Sequence, residues 1–73
     1  MLAAYPELVG SMAKRGITRV SIAEVLGISS RTLYDKIMGR TEFTLTEANE
    51  IHSKFFPDMD KDTLFAKAEQ EVR

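Results

Sequence analysis

The chain has 73 residues, enough for one domain that hides only roughly 60% of its unfolded surface and too few for a second. With 44% hydrophobic and 29% charged residues it has a globular balance and no low-complexity tract, and the lack of cysteine excludes a disulfide framework or a thiolate metal site. The net charge of −1 is segregated: residues 14–40 carry six bases (Lys14, Arg15, Arg19, Arg31, Lys36, Arg40) against two acids (Glu24, Asp35), a balance of +4, whereas residues 41–73 carry four bases against eight acids, a balance of −4. One end of the fold is therefore expected to attract phosphate and the other to repel it.

In chain order, Tyr5, Leu8, Val9 and Met12 stand at i, i+3, i+4 and i+7, one face of a first helix. Pro6 suits its first turn, Lys14 and Arg15 suit the negative end of its dipole, and Gly16 supplies a left-handed stop, so this helix spans roughly 6 to 15. Thr18 caps a short second helix with Ile22, Ala23 and Leu26 inward, ended by Gly27. Ser29 caps a third, with Leu33 and Ile37 inward, that stops at Gly39. Thr44-Leu45-Thr46-Glu47 is a capping box opening a fourth helix that places Leu45, Ala48, Ile51, His52 and Phe55 inside and ends before Pro57. Asp60 or Asp62 caps a last helix through Leu64, Phe65, Ala68 and Val72. The expectation is a single all-α domain over residues 1–73, a small five-helix bundle with no strand.

Thr18 to Gly39 places two helices of about eight residues on either side of a tight glycine turn, the pattern of a helix-turn-helix. Crossing such helices steeply needs a small residue at the contact and a glycine at the turn, and Ala23 and Gly27 stand there. The run Gly16-Ile17-Thr18-Arg19-Val20-Ser21-Ile22-Ala23-Glu24-Val25-Leu26-Gly27-Ile28-Ser29-Ser30-Arg31-Thr32-Leu33 resembles the phage repressor and Cro family, the lambda-repressor-like DNA-binding domains of bacteria and their viruses. The turn Gly39-Arg40-Thr41-Glu42-Phe43 and the capped helix after it are similar to phage members of that family, so the resemblance covers residues 5 to about 56.

The resemblance implies a transcriptional regulator that docks its third helix, about 29–38, in the major groove of an operator, usually as a homodimer. Carried over residue by residue, it assigns base-edge contacts to Ser30, Arg31 and Thr32 and, on the same outer side, to Tyr34 and Asp35. Phosphate contacts fall to Thr18, Arg19, Lys36, Arg40 and Thr41. Arginine grips guanine O6 and N7 with two bonds, worth roughly 1–3 kcal/mol of discrimination, which makes Arg31 the leading base reader. The competing reading pairs Arg31 with Asp35 at i, i+4 on a solvated face. The chain departs from the family in having Lys36 at a position usually apolar and Ile37 at one usually polar, which rolls the third helix by a fraction of a turn; Arg19 stands where glutamine is frequent.

Other patterns argue for blander roles. Asp58, Asp60, Asp62 and Glu69 match positions 1, 3, 5 and 12 of a calcium loop, but the sixth position is Thr63 where a sharp turn needs glycine. His52, the only histidine, reads as a packed boundary residue. No nucleophile, base and orienting group assemble, so no enzyme, metal, cofactor or small-molecule substrate is expected. Phe55, Phe56, Met59, Leu64 and Phe65 read as core packed under the first helix, or in part as a dimer surface. The chain lacks a signal-peptide pattern and any apolar stretch near the roughly 20 residues that span a bilayer, so a cytoplasmic location is expected. The alternative to operator binding is a helical protein-interaction module that uses the acidic half.

Overall fold

The computed structural model describes residues 4–67. Its elements are α1 (Pro6–Arg15), α2 (Arg19–Leu26), α3 (Ser30–Ile37), α4 (Leu45–Phe55) and α5 (Lys61–Leu64), with no strand among the described residues. None of these helices is long and apolar enough to cross a membrane.

Every helix after the first begins on a side-chain acceptor, because its first N–H groups have no partner within the helix. Thr18 Oγ1 accepts from the Ser21 N–H at 3.1 Å, Ser29 Oγ from the Thr32 N–H at 3.0 Å, and Asp60 Oδ2 from the Thr63 N–H at 3.0 Å. At α4 the box is reciprocal, the Glu47 N–H donating to Thr44 Oγ1 at 3.1 Å and the Thr44 N–H to Glu47 Oε1 at 2.9 Å. The helix ends are fixed as tightly. After α2, Gly27 adopts φ 73°, and its N–H and that of Ile28 reach back to the carbonyls of Glu24 and Ala23. After α3, Gly39 adopts φ 85° and the N–H groups of Gly39 and Arg40 close on Lys36 and Asp35 in the same way. These closures place α3 immediately after α2 with three residues between them.

The core takes Leu8 and Met12 from α1, Ile22 and Ala23 from α2, Leu33 and Ile37 from α3, and Ile51 from α4, with Phe56 and Leu64 closing it from below. Tyr5, Phe43 and Phe65 form an edge-to-face triad with centroids 5.3, 5.4 and 6.1 Å apart at one end of this core. Arg15 locks the opposite side: its guanidinium grips Asp58 with two bonds of 2.9 and 2.7 Å and stacks on the Phe56 ring at 5.2 Å. The guanidinium in turn holds the Asp58 carboxyl below the usual carboxylate range.

Three sequence expectations are corrected. Val9 is 38% exposed, since the buried stripe of α1 runs through Tyr5, Leu8 and Met12 and leaves Val9 on its flank. Leu45 is 72% exposed; the apolar space at that end is filled by Phe43, just ahead of the cap, packed on Tyr5 and Phe65. The last helix stops at Leu64 because Phe65 turns its ring onto Tyr5 and Phe43, and Lys67 reaches Glu42 at 3.2 Å. Ala68, Glu69 and Val72 lie outside the described residues. Two of the four acids of the suspected calcium loop are committed elsewhere, Asp58 to Arg15 and Asp60 to the α5 cap. His52 is half-buried with Nε2 2.7 Å from the Met59 carbonyl oxygen, a boundary residue tying α4 to the following loop.

Candidate functional site

The Ser29 cap starts α3 at the surface, so its first turn presents Ser30, Arg31 and Thr32 outward while Leu33 points into the core. The Arg31 side chain is 79% exposed, and its Nε lies 3.7 Å from Asp35 Oδ1, a loose contact. Asp35 also receives Arg40 Nη1 at 3.3 Å across the Gly39 turn. Tyr34, half-buried beside it, carries the Arg19 guanidinium 5.0 Å from its ring centroid and that of Arg40 at 6.0 Å.

Three guanidinium groups thus surround one phenol and one carboxylate, three positive charges against one negative. A guanidinium lying on an aromatic ring keeps its edge N–H groups free, and those groups only donate. The arrangement therefore suits an acceptor-rich, negatively charged ligand such as a phosphate ester or the O6/N7 edge of guanine. Arg19, Ser30, Arg31 and Tyr34 line a cleft of about 270 Å³ on this surface.

Of the residues selected from sequence, Ser30, Arg31 and Thr32 stand together in the open, with the Arg19 and Arg40 guanidiniums both within 6.0 Å of the Tyr34 ring centroid. Thr18 spends its hydroxyl oxygen on the α2 cap and Thr41 is exposed in the turn after α3. Asp35 is taken up by arginines. Lys36 is the exception. Its Nζ stands 3.0 Å from Glu47 Oε1 and donates to the Glu42 carbonyl oxygen at 3.0 Å, with 12% of the side chain exposed. It faces the start of α4 rather than the arginine surface, as expected of a lysine placed where its neighbours Leu33 and Ile37 are buried. Burial pushes the Glu47 carboxyl up, but the Thr44 N–H and the Lys36 ammonium outweigh it and hold it below the usual glutamate range.

No family model, no curated protein and no solved structure matches the chain.

A second cavity, of about 490 Å³, was not foreseen. Val9, Met12 and Ala13 of α1 form one wall and Tyr34, Ile37 and Met38 the other, while Ile17 and Arg19 close its end. The available signal was Val9 itself, an apolar residue read as core that the roll of α1 leaves at the rim. Arg19 and Tyr34 border both cavities.

Proposed function

We propose that this chain is a sequence-specific DNA-binding regulator of the helix-turn-helix type, a binding protein rather than an enzyme, in which α2 and α3 form the motif and α3 enters the major groove. The observation that carries the reading is the open first turn of α3. Ser30, Arg31 and Thr32 are exposed together there, beside two arginines stacked on Tyr34. The resemblance of residues 16–33 to the phage repressor and Cro domains supports the same assignment.

Arg31 reads guanine through O6 and N7, Ser30 and Thr32 supply hydroxyl contacts, and Arg19 and Arg40 grip backbone phosphates on either side. Tyr34 holds the two flanking guanidiniums, and Asp35 serves as counter-charge to Arg40 and Arg31. The protein binds as a homodimer to two half-sites about 10 base pairs apart, in the cytoplasm where such operators lie.

The test is selection of bound duplexes from a random pool at moderate salt, with Arg31→Ala run beside the native chain. An enriched inverted repeat whose preference at one base pair disappears in the variant supports the proposal. No enrichment, with equal affinity for both proteins, refutes it and turns attention to a protein partner.

A further inference from the structure

We propose that the cavity between α1 and α3 binds a small amphipathic carboxylate, its apolar body against Val9, Met12, Ile37 and Met38 and its carboxylate on the Arg19 guanidinium. The volume of about 490 Å³ lies within the roughly 300–1,000 Å³ typical of small-molecule sites. Both walls are built of apolar side chains apart from Tyr34. An ordered water needs two to four polar partners, and the Thr18 hydroxyl at the end of the cavity is already engaged with the Ser21 N–H and hydroxyl. Such a space favours a hydrocarbon or aryl body over water.

Charge decides the other end of the ligand. Among the described residues lining this cavity, Arg19 is the one with a charge and none is an acid. Its guanidinium rests 5.0 Å from the Tyr34 ring centroid, which orients it without consuming its donors. A carboxylate attached to an apolar body complements that end; an amine does not.

Arg19 and Tyr34 also line the cleft beside Ser30 and Arg31. A carboxylate on Arg19 therefore competes with the backbone phosphate that the proposed DNA complex places there, which makes the acid a negative effector. This second step rests on the DNA-binding reading; the cavity's occupancy does not.

The experiment follows the methyl resonances of Val9, Met12, Ile37 and Met38 in the full chain while decanoate, decanol or decylamine is added below micelle-forming concentrations. Saturable shifts are expected, with decanoate binding about tenfold tighter than decanol, the scale of one charge-assisted contact, and decylamine weakest. Arg19→Gln removes the preference for decanoate and leaves decanol binding in place. Ala13→Leu, at an exposed helical position on the cavity wall, fills the space and abolishes the saturable shifts for both. Equal affinity for decanoate and decanol in the native chain, or shifts that persist in Ala13→Leu, overturn the proposal. Methyl shifts that follow protein dilution and ignore all three probes overturn it too, and make the groove a contact between copies. In a second arm, saturating decanoate weakens binding to the selected duplex about tenfold, and the duplex weakens decanoate by the same factor. Decanoate binding without that coupling overturns the effector role alone, and decanoate binding in a chain that selects no duplex overturns the DNA reading while the carboxylate site stands.

Discussion

Replacing Lys36 with alanine removes an ammonium 3.0 Å from the Glu47 carboxylate at a site where 12% of the lysine side chain and 18% of the glutamate side chain are exposed. An exposed pair contributes about 0.2–1 kcal/mol, whereas stripping one partner from a fully buried pair costs about 3–5 kcal/mol. Glu47 keeps the Thr44 N–H as a donor in the variant, so the loss falls between these limits, at about 1–2 kcal/mol. For a domain of this size each kcal/mol lowers the melting temperature by about 4–8 °C, so thermal melts followed by circular dichroism resolve the effect. The folded carboxyl of Glu47 is held below its ordinary value, so its contribution is present above the unfolded value of about 4.3 and is lost as pH falls through the folded one. The gap between native and variant melting temperatures is therefore full at neutrality, narrows below that unfolded value and closes in acid. Affinity for DNA tests the same placement from the other side. If Lys36 touches Glu47 and not phosphate in the proposed homodimeric complex, the salt dependence of binding is unchanged in Lys36→Ala, while Arg19→Gln lowers the slope by about 0.9 per protomer. A Lys36→Ala protein that melts like the native chain and loses a unit of salt slope refutes this account and returns Lys36 to the backbone contacts.

Two further substitutions probe the scaffold. Gly39→Ala places a Cβ 2.8 Å from the Ala4 Cβ at a residue with φ +85°, so the left-handed penalty of about 1–2 kcal/mol is joined by a clash, and a lower urea midpoint is expected; an unchanged midpoint means the turn after α3 relaxes freely. Leu33→Ala, at a fully buried site, costs about 2–5 kcal/mol by denaturant titration, whereas Leu45→Ala, at 72% exposure, stays within about 0.5 kcal/mol; the reverse order would put the start of α4 in the core.

The helices were legible where local chemistry decides them. Thr18, Ser29, Thr44 and Asp60 cap as their residue types require, and Gly16 and Gly27 stop α1 and α2 where a left-handed residue is needed. The misjudged positions depend on contacts distant in sequence. Periodicity puts Leu45 on the inner side of α4, but Phe43 reaches the Tyr5 and Phe65 rings first. Helical spacing extends the last helix past Phe65, and the same aromatic cluster ends it. At the candidate site the cluster of basic residues and the i, i+4 pairing of Arg31 with Asp35 were legible, and the rest of the wiring was not. Nothing in the spacing of Arg19 and Tyr34, on different helices, reveals that one stacks on the other. Lys36 counted as one more basic residue in the sequence, although its pairing with Glu47 removes it from the arginine surface.

That wiring bears on whether Arg31 is free to read a base or spent on Asp35. The pair is an exposed i, i+4 contact at 3.7 Å, a class worth about 0.2–0.5 kcal/mol, and bidentate binding of guanine is worth roughly 1–3 kcal/mol of discrimination. In the proposed complex a guanine would therefore outcompete the carboxylate, and the exposed ion pair would only bias the side chain before binding. Asp35 is not left as an uncompensated charge near phosphate when Arg31 leaves, because Arg40 holds it at 3.3 Å from the other side. With Arg40 engaged by both Asp35 and the Tyr34 ring, Arg19 is the flanking guanidinium with no acid partner among the described residues, and in the proposed complex it would supply the stronger phosphate grip of the two.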